Sequence, residues 1–152
     1  MQVETLKDVL HWTTEFHQHL SKCLAHCATQ NDSERAKMLL DYLADHEKKL
    51  THVVSRFEET GDSNALNTWC YEYVNKHPIV QHEYCNAPFS DLDAAQIMSV
   101  IVNQHHQVIE LYRYLAERAG IPSAKELLED LWSMEEHEMM RAVQAANRFE
   151  DM

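Results

Sequence analysis

The chain has 152 residues, long enough to bury one apolar core without disulfide or metal staples, and is read as a single domain over residues 1–152. Two glycines and three prolines leave few breakers among many helix formers, which favours an all-α class over β architectures. Thirteen basic residues against twenty-five acidic ones give a formal charge of -12, which repels nucleic acid and anionic membrane surfaces and excludes both as partners.

No apolar run approaches the roughly 18 residues of a membrane span, and Met1-Gln2-Val3-Glu4-Thr5 has neither a basic nor an apolar leader, which predicts a cytoplasmic protein. The four cysteines, Cys23, Cys27, Cys70 and Cys85, then read as reduced thiols, with Cys23 and Cys27 one helical turn apart as core filler. A zinc site combining them with His26 lacks any CxxC spacing.

The apolar periodicity predicts a first helix over about residues 3–28, with the stripe Leu6, Leu10, Thr13, His17, Leu20, Leu24, Cys27. The short polar break at 29–34, with Asn31 and Glu34 spaced as a capping box, folds a second helix over about 33–60 back against the first. Its stripe is Leu40, Leu43, Glu47, Leu50, Val54, Phe57, and Gly61 is placed to end it in the left-handed conformation. Residues 61–90 hold only a short amphipathic piece (Leu66, Trp69, Cys70, Tyr73, Val74), stopped at His77-Pro78. A connection of that length can return along a whole helix, so the prediction is two antiparallel pairs joined by one long crossover, with the second and third helices parallel. Ser90-Asp91-Leu92-Asp93 caps the third helix, about 91–119, whose stripe is Met98, Ile101, His105, Val108, Tyr112, Leu115, Ala119. After Gly120, Ser123-Ala124-Lys125-Glu126 reads as a capping box opening the fourth, about 123–150, with Leu128, Leu131, Glu135, Glu138, Ala142 and Ala145 inward.

Each stripe is broken by a polar residue: His17, Glu47, His105 and Glu135, with Glu138 one turn beyond the last. Each of the four lies within about two residues, or about 3 Å of rise, of the middle of its helix, so they fall at one level of a bundle whichever way the helices run. No lysine or arginine lies on the stripes to neutralise the carboxylates; Lys48 and Arg141 stand at the edges. Two imidazoles and two or three carboxylates form a ligand set for zinc, iron or manganese. Whether His105 or His106 points inward depends on the helix register.

On these residues the chain resembles the ferritin-like superfamily, in particular its small rubrerythrin-type di-iron bundles, in which two helices each give a Glu and two give a Glu-x-x-His. Leu43-Ala44-Asp45-His46-Glu47-Lys48-Lys49-Leu50 is similar to the second-helix motif, with Leu50 where the His belongs, and Glu135-Glu136-His137-Glu138 to the fourth, with Glu138 in the His place. His17 and His105 fall at the other two glutamate positions, and Tyr112, seven residues after His105, at the position of a tyrosine common in that family. The resemblance implies a divalent metal (Fe, Mn or Zn) held by His17, Glu47, His105, Glu135 and Glu138, without an organic cofactor, and an oxidative or peroxide-related role. The set of ligands fits a mononuclear or asymmetric site better than a full di-iron centre, and no rubredoxin-type CxxC pair is present.

The alternative is a non-enzymatic bundle whose polar centre is a metal-free hydrogen-bond network, acting through self-association or protein interaction. Trp12, Trp69, Trp132, Tyr42, Tyr71, Tyr73 and Tyr114 are packing residues or a homo-oligomer (dimer) surface, and the acidic run 126–138 is otherwise a solvated face.

Overall fold

The structure, a computed structural model, describes residues 5–70 and 88–150, with residues 88, 149 and 150 described by their backbone alone. Four long helices dominate it: α1 (Leu6–Gln30), α2 (Glu34–Thr60), α4 (Ala94–Arg118) and α5 (Pro122–Glu150), with a single-turn α3 (Ser63–Leu66) after α2 and a 3-10 turn Pro88–Ser90 before α4. Among the described residues the only β feature is an isolated bridge between Thr5 and Trp69. None of the described helices is long and apolar enough to cross a membrane.

The helix ends follow local chemistry, and several of the expected caps move. Thr5 caps α1 in a reciprocal box with Asp8, satisfying two of the amides that a helix start leaves without partners. At α2 the cap is Ser33, whose hydroxyl accepts from the Ala36 amide, rather than Asn31. Asn31 is buried and does something else: its Oδ1 accepts from the Ser33 amide, while its Nδ2 donates to the carbonyls of Phe89 and Leu92. Asp93, boxed with Gln96, caps α4 in place of Ser90. The predicted box at Ser123 is absent, because α5 already begins at Pro122, a residue suited to the first helical position since its missing N–H would have no partner there. Gly61 ends α2 in an extended rather than left-handed conformation; a Cβ there would stand 2.7 Å from the Phe57 carbonyl oxygen, so close approach selects glycine.

Cross-contacts give the helix directions. The Ser21 hydroxyl donates to the Ala44 carbonyl and His11 faces Glu58, so α1 and α2 run antiparallel. Arg113 lies over the Trp132 ring while His105 meets Glu135, so α4 and α5 do likewise. Asn31, just before α2, holds the segment just before α4, which puts the starts of both helices at one end and makes them parallel, as the long connection requires. The outgoing part of that connection lies along the start of α1, where the Leu6 amide donates to the Thr68 carbonyl. Leu66 and Cys70 are buried there and Trp69 is 64% exposed; Tyr71, Tyr73, Val74, His77-Pro78 and Cys85 lie outside the described residues.

The stripes form one core. Leu6, Leu10, Leu20, Leu24 and Cys27 of α1 meet Leu40, Leu43 and Val54 of α2, Ile101, Val108 and Leu115 of α4, and Leu128, Leu131 and Ala142 of α5, all buried. Cys23 and Cys27 are buried within it, as core filler should be. Trp12, Tyr42 and Trp132 cover its edge, partly buried.

Because Asn31 is itself buried and joins the two hairpins through one buried and one part-buried bond, Asn31→Ala is expected to cost about 2 kcal/mol by leaving two acceptors without their partner. Urea unfolding checks this; a loss under about 0.5 kcal/mol, the size of an ordinary surface substitution, would contradict it.

Candidate metal centre

His17, Glu47, His105 and Glu135 come from the middle of α1, α2, α4 and α5 and meet in the core, none more than 1% exposed. His17 Nδ1 lies 2.6 Å from Glu47 Oε2 and its Nε2 lies 2.7 Å from Glu135 Oε1. His105 Nε2 donates to the other oxygen of Glu47, and His105 Nδ1 stands 3.4 Å from Glu135 Oε2. Imidazole and carboxylate therefore alternate around a closed ring. The His17 and His105 rings are 5.4 Å apart between centroids, and Phe16 packs its edge against His17. The register question is settled, since His105 is buried and His106 exposed.

Burial and charge oppose each other here. Burial pushes both imidazoles toward the neutral form, yet the carboxylates of Glu135 and Glu47 overcome it and hold the His17 pKa at about 9 and that of His105 at about 10. Burial likewise raises the carboxyls, and the two imidazoliums overcome that too, bringing Glu135 down to about 2 and Glu47 well below the usual carboxylate range. Without a metal the ring is two cations and two anions, with His17 donating from both nitrogens, and its net charge is zero.

The ring is not fully satisfied. His105 Nδ1 and Glu135 Oε2 face each other without a hydrogen bond, both shielded from solvent. Their 3.4 Å separation is about the N···O edge of a tetrahedral site with metal–ligand bonds of about 2.1 Å. His17, Glu47 and His105 can each offer a ligand atom within 4.8 Å of the others. This triad mixes borderline imidazole and hard carboxylate ligands and fits a divalent transition-metal ion, and Glu135 adjoins it through its contacts with both imidazoles.

The fifth residue expected at the site is not brought to it. Glu138 is partly exposed one turn along α5, with Oε2 3.7 Å from His46 Nε2 and Oε1 3.4 Å from Arg141 Nη1. Lys48 and Arg141 are exposed, and among the described residues no lysine or arginine pairs with the ring carboxylates. His46 is the residue that sequence reasoning passed over. It is 8% exposed, stacks on Tyr42, and its Nε2 has no hydrogen-bond partner. Burial lowers its pKa, outweighing the nearby carboxylates of Glu47 and Glu138. The signal was the spacing Leu39, Leu43, His46, Leu50, a second inward line on α2.

Tyr112 is also fully buried beside the ring, its hydroxyl near Thr13 but outside hydrogen-bond geometry; the Thr13 hydroxyl itself donates to the Val9 carbonyl. Burial first, and then the charge of Glu135, push the phenol well above its ordinary pKa, with Thr13 acting weakly the other way.

A crystal structure from Thermotoga maritima, described as a ferritin-like diiron-carboxylate protein, superposes with a TM-score of 0.64 over 94% of this chain and 95% of its own, at 12% identity. The fold is ferritin-like. No family model matches the sequence, and no curated protein does. At that identity the likeness covers the ferritin-like backbone alone; the His/Glu ring is a property of this chain's own residues.

The pKa shifts predict how the chelated protein responds to pH. The imidazoles contribute stability fully below their unfolded value of 6.5 and lose it as pH rises through about 9 to 10. The carboxylates contribute above 4.5 and lose it as pH falls toward about 2. The melting temperature in chelator should therefore peak between 4.5 and 6.5 and fall on both sides; a maximum in the alkaline range would contradict the charge assignment.

Proposed function

We propose that this ferritin-like bundle binds one divalent transition-metal ion, Fe, Mn or Zn, through His17, Glu47, His105 and Glu135, and that with Fe or Mn it serves an oxidative or peroxide-related reaction. The observation that carries this reading is the pair of orphaned donor atoms, His105 Nδ1 and Glu135 Oε2, facing each other within a fully buried His2Glu2 ring. A structural neighbour described as a diiron-carboxylate protein supports it, and the ligand set here suits one ion rather than two: Leu50 is buried core, and Glu138 lies apart from the ring. A bound redox-active ion would supply electron transfer at the centre of the bundle. This chain's own residues would hold the ion, exclude water with the surrounding leucines, and keep the Tyr112 phenol protonated nearby.

The same ring supports a second reading. Its charges already balance and three of its four contacts are hydrogen bonds, so it can stand as a metal-free network that specifies how the four helices meet, in a protein acting through self-association or interaction.

Metal titration separates the two. Untagged protein, chelated and then titrated with Fe(II), Mn(II) or Zn(II) in a calorimeter, should take up about one equivalent and release protons, because imidazoliums must be deprotonated to ligate. The melting temperature should rise with metal, and His17→Ala and Glu135→Ala should each weaken binding at least about tenfold. Uptake below about a tenth of an equivalent, with no thermal stabilisation, favours the metal-free network.

A further inference from the structure

The four ring residues are shielded from solvent, so an ion arriving from water must first meet other polar groups. The apolar stripes close most approaches: Leu43 and Leu50 flank Glu47 on α2, and Leu131 and Ala142 lie one and two turns from Glu135 on α5. One side is different. His46 is the chain neighbour of Glu47, and Glu138 lies one turn from Glu135, so a pair of ligand-type side chains sits against the ring where α2 meets α5.

The pair has the form of a binding element rather than a salt bridge. His46 is more than nine-tenths buried, its ring held by stacking on Tyr42 at 6.1 Å, and its Nε2 points at Glu138 without bonding to it. The 3.7 Å between Nε2 and Oε2 is too long for a hydrogen bond, yet close to the roughly 3.4 Å between two ligand atoms on one tetrahedral ion. Glu138 is 22% exposed and therefore reaches water, while the Nε2 of His46 is shielded from it. Its other oxygen faces Arg141, 62% exposed, which competes with any cation for the carboxylate.

We propose that His46 and Glu138 form an outer docking pair for a divalent cation, which captures the ion at the surface and passes it inward to the His17, Glu47, His105, Glu135 ring, with Arg141 as the group it displaces. The inference rests on the metal-binding reading of the ring. It assigns Glu138 to the path of the ion and not to its final ligand set.

Stopped-flow mixing of chelated, desalted full-length protein with excess Co(II), followed by the visible absorption of the bound ion, tests it. A residue on the path lowers the barrier in both directions, so Glu138→Gln should slow loading about tenfold and slow release into a competing chelator by the same factor, leaving the equilibrium affinity within about threefold. His46→Phe should behave alike, and should it fail to fold, the partly exposed Glu138 carries the test. Arg141→Ala should speed both processes. Unchanged rates in Glu138→Gln overturn the proposal, and so does weaker affinity with faster release, which would make Glu138 a ligand of the final site. Absence of a Co(II) spectrum in the wild type overturns the metal-binding reading and this inference with it; a normal wild-type spectrum with unaffected variants overturns the inference alone.

Discussion

Everything in this bundle turns on the cost of placing ionisable groups where water does not reach. A carboxylate moved from water into an apolar interior loses several kcal/mol of solvation unless a partner restores it. Glu47 and Glu135 are placed in this way, fully buried among leucines, and each is answered by two imidazoles. The alternation of His and Glu gives every charge two neighbours of opposite sign, which is why the imidazoles stay protonated well above their ordinary range in spite of burial. Removing any one member leaves the others uncompensated, so the ring behaves as a unit. A divalent ion can replace two protons while keeping the carboxylates answered, and His105 Nδ1 and Glu135 Oε2 form the one contact of the ring without a hydrogen bond.

The fold exists to bring those four side chains to one level. Each helix contributes from its middle, so the four side chains share one level whichever way the helices run, and the parallel arrangement of α2 and α4 follows from the long connection between them. Asn31 holds the arrangement by bonding the turn before α2 to the segment before α4. The antiparallel hairpins α1–α2 and α4–α5 then need only short turns, at residues 31–33 and 119–121. The apolar stripes supply the stability that the ring itself does not, since a buried set of ion pairs offsets its own desolvation without adding much beyond it.

Much of this is legible in the residues themselves. The interruption of each apolar stripe at its midpoint placed His17, Glu47, His105 and Glu135 together, because a polar side chain on a buried face has few ways to be satisfied and four at one height satisfy each other. The parallel pair was legible from connection length alone. The caps were less so: Asn31, Ser33, Ser90, Asp93 and Ser123 are all competent capping residues, and which one is used depends on backbone geometry that a few tenths of a kcal/mol decide. Three residues after Glu135 is nearly the same helical face, so the sequence pattern alone turns Glu138 inward. The 300° of that step leaves it about 60° off the stripe, enough for its tip to turn to Arg141 and His46. His46 was hidden by its neighbour, since Glu47 already explained the break in α2.

The metal ion proposed for this bundle takes ligands from all four long helices, two through nitrogen and two through oxygen. X-ray absorption at the metal edge of zinc-loaded protein measures that donor set directly. Such a site gives two imidazole nitrogens at about 2.0 Å and two carboxylate oxygens at about 2.0–2.2 Å per ion. A spectrum without imidazole scattering, or with thiolate sulfur at about 2.3 Å, would contradict it.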